Sequence, residues 1–161
     1  MTGMSLPWNA PKNIPSYAMS SQSVRDAINE AVAAAALPLE TFDLSDFVTL
    51  EDCLSQVDSQ AVLIQYVASD ESIVTIGGQG NQGYEETGSV VIHLVTPSGF
   101  DSAPIVAKGD EMRLALRGRR LDDSVVLEQV DPFTDFGGGA GYSGAWKGWA
   151  ANIYYYSRDC G

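Results

Sequence analysis

The chain has 161 residues, of which 45% are hydrophobic and 19% are charged, and this composition predicts one globular domain with a core of its own. Its net charge is −12, with 21 acidic residues against 9 Lys and Arg, which disfavours a protein that grips nucleic acid with clustered cations. The longest apolar stretch, Ala31–Leu39, is far shorter than the ~20 residues of a membrane-spanning helix, and Met1–Ser21 lacks the basic and apolar regions of a secretory signal.

Residues 1–21 are predicted to form an extended arm that precedes a single domain over residues 22–161. Pro7, Pro11 and Pro15 break any helix in this segment. Trp8 and Tyr17 are costly to leave in water, so we expect the arm to pack on another surface. The alternative is a disordered tail.

The first predicted helix covers Ser23–Leu37. Ser23-Val24-Arg25-Asp26 has the form of a capping box, in which the Ser23 hydroxyl accepts from the amide of Asp26. Apolar residues follow at helical spacing, and Pro38 stops the pattern.

A second helix is predicted for Ser102–Arg117. Pro104 falls in its first turn, where a missing amide hydrogen is tolerated, and Gly118 is expected to be its C-cap. The arginines of the 117–120 segment then lie near the negative end of the helix dipole. We expect them to face outward or to pair with acidic groups of a partner.

The remaining elements are predicted to be strands. Residues 40–60 fit neither the helical nor the strand period, so a packed connection with one short helix near Leu50–Val57 is expected there. The glycine-rich segments Gly77–Gly83 and Pro132–Gly144 are expected to be loops. The predicted strands are Ala61–Val67, Ser72–Ile76, Glu85–Thr96, Val125–Leu127 and Trp146–Tyr156. This order predicts an α+β fold, a mainly antiparallel sheet packed by two helices on one face.

Motifs of catalytic and cofactor sites are present only in part. Gly78–Gly83 and Gly139–Gly144 match G-x-G-x-x-G, but both run into strand-like sequence, where no helix N-terminus would hold a pyrophosphate. Gly141–Ala145 is close to a nucleophile elbow, which needs a following helix and a downstream histidine. The one histidine, His93, lies upstream. We therefore predict no catalytic residue, no cofactor site and no enzyme activity.

The two cysteines are expected to be reduced thiols, as is usual for a protein assembled in a cytoplasm. Cys53 and Cys160 are far apart in the sequence, and a disulfide between them is the alternative. Two cysteines and one histidine do not make a standard closed zinc site, so no metal site is predicted.

The order of these signals is also informative. A helix that opens with Ser23–Ile28 is followed by strand Ser89–Val95, by a helix that ends at Leu116–Arg120, and by Trp146–Trp149 before a tyrosine-rich strand. Over residues 22–158 this layout resembles the tail-terminator (tail-completion) proteins of long-tailed bacteriophages. The arm and the length of the Gly137–Gly144 loop depart from the shorter members of that family.

The resemblance implies a structural virion protein, assembled in the host cytoplasm. Proteins of this kind form a hexameric ring at the head-proximal end of the tail tube. The ring ends tube growth and joins the tail to the head connector. The implied partners are other copies of the chain, the tail tube protein and a connector or stopper protein, with no membrane. DNA would pass through the lumen without specific binding, which an acidic wall favours.

Three groups of residues are predicted to lie at subunit or ring interfaces. They are the arm residues Trp8 and Tyr17, the arginines Arg117, Arg119 and Arg120, and the aromatic residues Trp146, Trp149 and Tyr154. The alternatives are another head–tail connector or tail tube ring protein, a small glycan-binding module that uses the exposed aromatic residues of the last strand, and a hydrolase. Ser143, His93 and Asp135 are the only candidates for hydrolase chemistry.

Overall fold

A computed structural model describes residues 21–75, 83–121, 124–135 and 145–160 of the chain. The predicted arm and most of both glycine-rich segments lie outside the described residues. The helices are α1 (Gln22–Ala36), α2 (Leu50–Leu54) and α3 (Ala103–Leu116), with a 3-10 turn at Leu44–Asp46. The strands are β1 (Glu40–Asp43), β2 (Ala61–Thr75), β3 (Gly83–Pro97), β4 (Arg120–Leu121), β5 (Val125–Val130), β6 (Thr134–Asp135) and β7 (Trp146–Cys160).

The described strands form one seven-stranded sheet in the order β1-β2-β3-β7-β5-β4, with β6 paired to β7. β2, β3 and β7 are its centre, and each is 15 residues long. β1 pairs with β2 in parallel, whereas the other pairings are antiparallel. The predicted α+β class and mainly antiparallel sheet are therefore confirmed.

The two faces of the sheet carry separate cores because side chains alternate along a strand. On one face, α1 and α3 pack on a cluster that includes Ile64, Ile92 and Ile153. On the other face, α2 packs through Cys53 and Leu54 on the ends of the central strands. The two long helices thus share one face, as predicted, and the third helix covers part of the opposite one.

α3 lies close to the sheet at Gly109. A Cβ atom at this position would be 2.7 Å from Leu94 Cδ1 and 3.2 Å from Phe133 Cδ2. α3 ends at Leu116 with Arg117 as its C-cap, so the predicted C-cap, Gly118, is one residue too late. Gly118 follows the cap with a φ of 69°, in the left-handed region that favours glycine. The close approach at Gly109 and the turn at Gly118 set the point where the chain leaves α3 and enters β4.

The predicted capping box is wrong. α1 begins one residue earlier, at Gln22, with Ser21 as its N-cap and no side-chain cap bond. Asp26 instead accepts a hydrogen bond from Gln22 Nε2 at 2.7 Å. The pair at positions 22 and 26 is one helical turn apart, which is the spacing that brings side chains together on a helix.

Three strand assignments also change. The two strands predicted at Ala61–Val67 and Ser72–Ile76 are one strand, β2, which continues through a bulge between Tyr66 and Ala68. The connection predicted for residues 40–60 contains β1, and the predicted loop after Pro132 contains β6. Short strands such as β1 and β6 have too few residues to show a period in the sequence.

Candidate functional site

The three arginines predicted for an interface lie together at one end of the sheet. Arg117 is the C-cap of α3, Arg119 precedes β4, and Arg120 begins it. All three residues are exposed. In the described part of the chain no carboxylate forms an ion pair with Arg117 or Arg119. We call this group the arginine edge.

The aromatic residues of β7 do not form one patch. Trp146 is half-buried against the α2 cluster, and Trp149 is half-buried against the main core on the helix face. Tyr154 is 39% exposed, and its hydroxyl is 3.4 Å from Asp131 Oδ2. Trp8 and Tyr17 lie outside the described residues, so the structure has no bearing on their predicted role.

The opposite end of the sheet has an open strand edge. β1 pairs only with Ala61–Ile64, the beginning of the 15-residue β2. Along Gln65–Thr75, no described strand pairs with the outer edge of β2. An unpaired edge of this length exposes a row of backbone donors and acceptors to another chain.

A polar cluster fixes the point where β1 stops. Asp43, the last residue of β1, accepts hydrogen bonds from Arg25 at 3.1 Å and from Asn29 at 3.0 Å. Ser45 also bonds Asp43, through its amide at 2.9 Å and its hydroxyl at 2.6 Å. Burial would raise the pKa of Asp43, but these hydrogen bonds outweigh it and hold the pKa below its ordinary value. The chain therefore turns away at Asp43 and leaves the rest of β2 open.

Acidic residues dominate this open end. No Lys or Arg stands between Arg25 and Lys108, whereas most of the 21 acidic residues do. The exposed acidic residues between the start of β1 and the end of β2 are Glu40, Asp46, Glu51, Asp52, Asp58, Asp70 and Glu71. We call them the acidic side. They are at the β1–β2 end of the sheet, and the arginine edge is at the β4 end.

A groove of about 620 Å³ separates α1 from the arginine edge. Asp26 and Glu30 of α1 line it together with Arg119 and Arg120. Carboxylates and guanidinium groups therefore line the same groove. The groove is an open surface feature of this end of the sheet and not an enclosed apolar cavity of the kind that holds small ligands.

Apolar side chains are also exposed on the helix layer. Val106 and Leu114 of α3 are 41% and 60% exposed, and Leu37, just after α1, is 66% exposed. Lys108 Nζ donates to the backbone oxygen of Leu37, so the two helices meet at this point. Covering an exposed apolar group removes it from water, so this part of the helix layer is a candidate contact surface in an assembly.

Two of the three residues considered for hydrolase chemistry, His93 and Asp135, are among the described residues. His93 is buried, and its Nε2 lies 2.9 Å from Gln65 Oε1. Burial lowers the pKa of His93 to about 4. Asp135 lies on β6 and pairs with Trp149, and Ser143 lies outside the described residues. The described ranges contain no group of three or more His, Cys, Asp and Glu that could hold a metal ion.

Some features were not predicted. The open edge of β2 depends on where β1 stops, which the sequence does not mark. The separation of charge does have a signal in the sequence, the long interval without Lys or Arg between Arg25 and Lys108. Among the described helices, none has the length and apolar character that crossing a membrane requires.

No protein-family model and no curated protein matches this chain. One solved structure, whose name describes no function, is similar over 87% of this chain and 96% of its own, with a TM-score of 0.52 and 12% sequence identity. At this identity the similarity concerns the fold alone. Another protein thus adopts a similar α+β fold.

Proposed function

We propose that this chain is a structural virion protein of a long-tailed bacteriophage. Copies of it close into a ring, a hexamer, at the head-proximal end of the tail tube. The ring ends tube growth and joins the tail to the head connector or stopper protein. The layout of helices, strands and tryptophan-rich last strand over residues 22–158, which resembles the tail-terminator family, supports this proposal.

The observation that carries the ring is the open outer edge of β2 along Gln65–Thr75. An open edge is a liability for a protein that stays alone, and proteins blunt or cover such edges. A ring covers it, because in a head-to-tail contact one surface of each copy meets a different surface of the next. The exposed Val106 and Leu114 on α3 add surface that an assembled state would cover.

The charge of the chain fits a ring through which DNA passes. With a net charge of −12, the wall of a closed ring repels the phosphate backbone rather than binding it. Among the described residues, the arginine edge is a cationic cluster. It lies at the β4 end of the sheet, where another protein could contact it. In this proposal DNA passes through the ring without being bound, and the binding partners are proteins.

Native mass spectrometry and electron microscopy of the purified chain test the proposal. We expect a closed ring of about six copies, and we expect the ring to cap isolated tail tubes and to stop further addition of tube subunits. A chain that polymerises into long tubes by itself would indicate a tube protein instead. A chain that stays monomeric both alone and with tail tube ends would overturn the proposal.

A further inference from the structure

We propose that neighbouring copies in the ring are joined by charge, with the arginine edge of one copy seated on the acidic side of the next. This inference rests on the proposed ring and names the surfaces that form it. The open β2 edge of one copy is thus covered by a second copy of the same chain, which contacts it through the β4 end of its sheet.

Arg117 and Arg119 of the arginine edge carry positive charge that no described carboxylate neutralises. Within the described residues Arg117 and Arg119 have no ion-pair partner, whereas Lys108 pairs with Glu111 at 2.7 Å and Arg158 pairs with Glu85 at 2.9 Å. Arg113 is used inside the domain, because its Nε donates to the backbone oxygen of Val130 at 3.0 Å. Among the described residues, Arg117 and Arg119 are therefore basic groups that remain available to another molecule.

The acidic side is the complementary surface. Its exposed carboxylates extend from Glu40 on β1 to Asp70 and Glu71 on β2, and the segment that bears them contains no Lys or Arg. Arg25 does not neutralise it, because Arg25 is committed to Asp43 within the polar cluster. Asp70 and Glu71 lie on the open stretch of β2 itself.

The distribution of charge also selects the geometry of association. Two acidic sides placed against each other repel, and so do two arginine edges, so a two-fold pairing through either end is disfavoured. A head-to-tail contact instead places each arginine against carboxylates, where charge-assisted hydrogen bonds are strong. Contacts of this kind repeat around an axis, and they close into a ring when the rotation between neighbouring copies divides a full turn evenly.

Two charge-reversal variants test the interface. Asp70→Lys/Glu71→Lys reverses the two carboxylates of the acidic side that lie on the open stretch of β2, and Arg117→Glu/Arg119→Glu reverses two residues of the arginine edge. Each variant alone replaces attraction by repulsion at these positions in every contact, so we expect the concentration needed for half-assembly to rise about tenfold or more. The control Asp101→Lys/Asp135→Lys makes the same change in net charge as the first variant, at exposed positions outside the acidic side, the arginine edge and the exposed face of α3, and should leave the ring intact.

Mixing the two reversal variants gives the decisive measurement. Every contact in an alternating ring then joins opposite charges again, so native mass spectrometry should detect rings with equal numbers of the two variants. Thermal unfolding of each variant checks its fold. If either variant unfolds at a lower temperature than the wild type, the neutral pairs Asp70→Asn/Glu71→Gln and Arg117→Gln/Arg119→Gln replace the reversals, and each should weaken assembly.

The two proposals fail in different ways. If the wild-type chain forms rings and the reversal variants form them equally well, or if mixing restores nothing, this interface is wrong while the ring stands. If the wild-type chain is monomeric both alone and with tail tube ends, the ring itself is wrong, and this inference is overturned with it. High salt should weaken the wild-type ring, because salt screens contacts between exposed charges.

Discussion

The guanidinium carbon of Arg25 lies 4.8 Å from the centre of the Tyr66 ring. Arg25 is on α1, and Tyr66 is on β2 just beyond the residues that β1 pairs. The Tyr66 hydroxyl donates to Asn29 Oδ1 at 2.6 Å, and Asn29 in turn donates to Asp43. One helix, the end of β1 and the beginning of the open edge are therefore held by a single polar cluster.

Replacing Asp43 by Asn tests this cluster. The change leaves the half-buried Arg25 without its anion, and we expect a loss of about 1–3 kcal/mol in the free energy of unfolding at pH 7. Because the folded pKa of Asp43 lies below its ordinary value of 3.8, its contribution is present above pH 3.8 and is lost as the pH falls through the folded pKa. Urea unfolding should therefore show a smaller difference between wild type and variant in acid than at pH 7. An equal difference at both pH values would contradict the role of the carboxylate.

His93 should make stability depend on pH over a higher range. Burial lowers its folded pKa to about 4 from 6.5, so the unfolded chain takes up a proton between these values and the folded chain does not. The contribution of His93 to the free energy of unfolding is therefore fully present above pH 6.5. It falls by up to about 3 kcal/mol as the pH decreases to 4. The variant His93→Gln, which keeps a polar group beside Gln65, should lose this part of the pH dependence. A parallel pH profile for the two proteins, measured by urea unfolding, would show that His93 titrates as an exposed histidine does.

Gly109→Ala should destabilise the fold by about 1–2 kcal/mol. Alanine is the better helix former, but its Cβ would meet Leu94 and Phe133 at the distances of an overpacked core. The exposed neighbour Asp110→Ala is the matched control, and its effect should stay within about 0.5 kcal/mol. Thermal unfolding measures both. A variant Gly109→Ala as stable as the control would mean that α3 moves away from the sheet without penalty.

Cys53 should be unreactive in the folded protein. It is buried, and burial raises the pKa of its thiol to about 11 from 9.0, which lowers the thiolate fraction at pH 8 about 100-fold. In the variant Cys160→Ser, a disulfide reagent should therefore modify Cys53 slowly until urea unfolds the chain. Modification of the folded variant as fast as that of the unfolded one would contradict this burial.

Removing residues 1–20 should weaken assembly and leave the fold intact. Ser21 is retained because its backbone oxygen accepts from the amide of Arg25 at the start of α1. Trp8 and Tyr17 are predicted to lie on a neighbouring copy or an adjacent ring, so the truncated chain should unfold at the same temperature as the full chain but form fewer rings. Rings of unchanged mass and stability would argue against a role of the arm between copies.

The sequence by itself determined the fold class and the long elements. Apolar periodicity in α1, the turn residues around α3 and the β-branched runs of β2 and β3 are local signals, so they can be recognised without the rest of the chain. The charge imbalance and the absence of a complete catalytic motif are also properties of the sequence alone.

Only the tertiary structure decided the open edge and the placement of charge. β1 stops at Asp43 because Arg25, Asn29 and Ser45 converge on one carboxylate, and no sequence period records a contact between residues so far apart. The capping box failed for a different and local reason, because the Gln22 side chain bonds Asp26 one helical turn away. The acidic side and the arginine edge lie at opposite ends of the sheet because strand order, which long-range pairing sets, decides which segments of the chain become its edges.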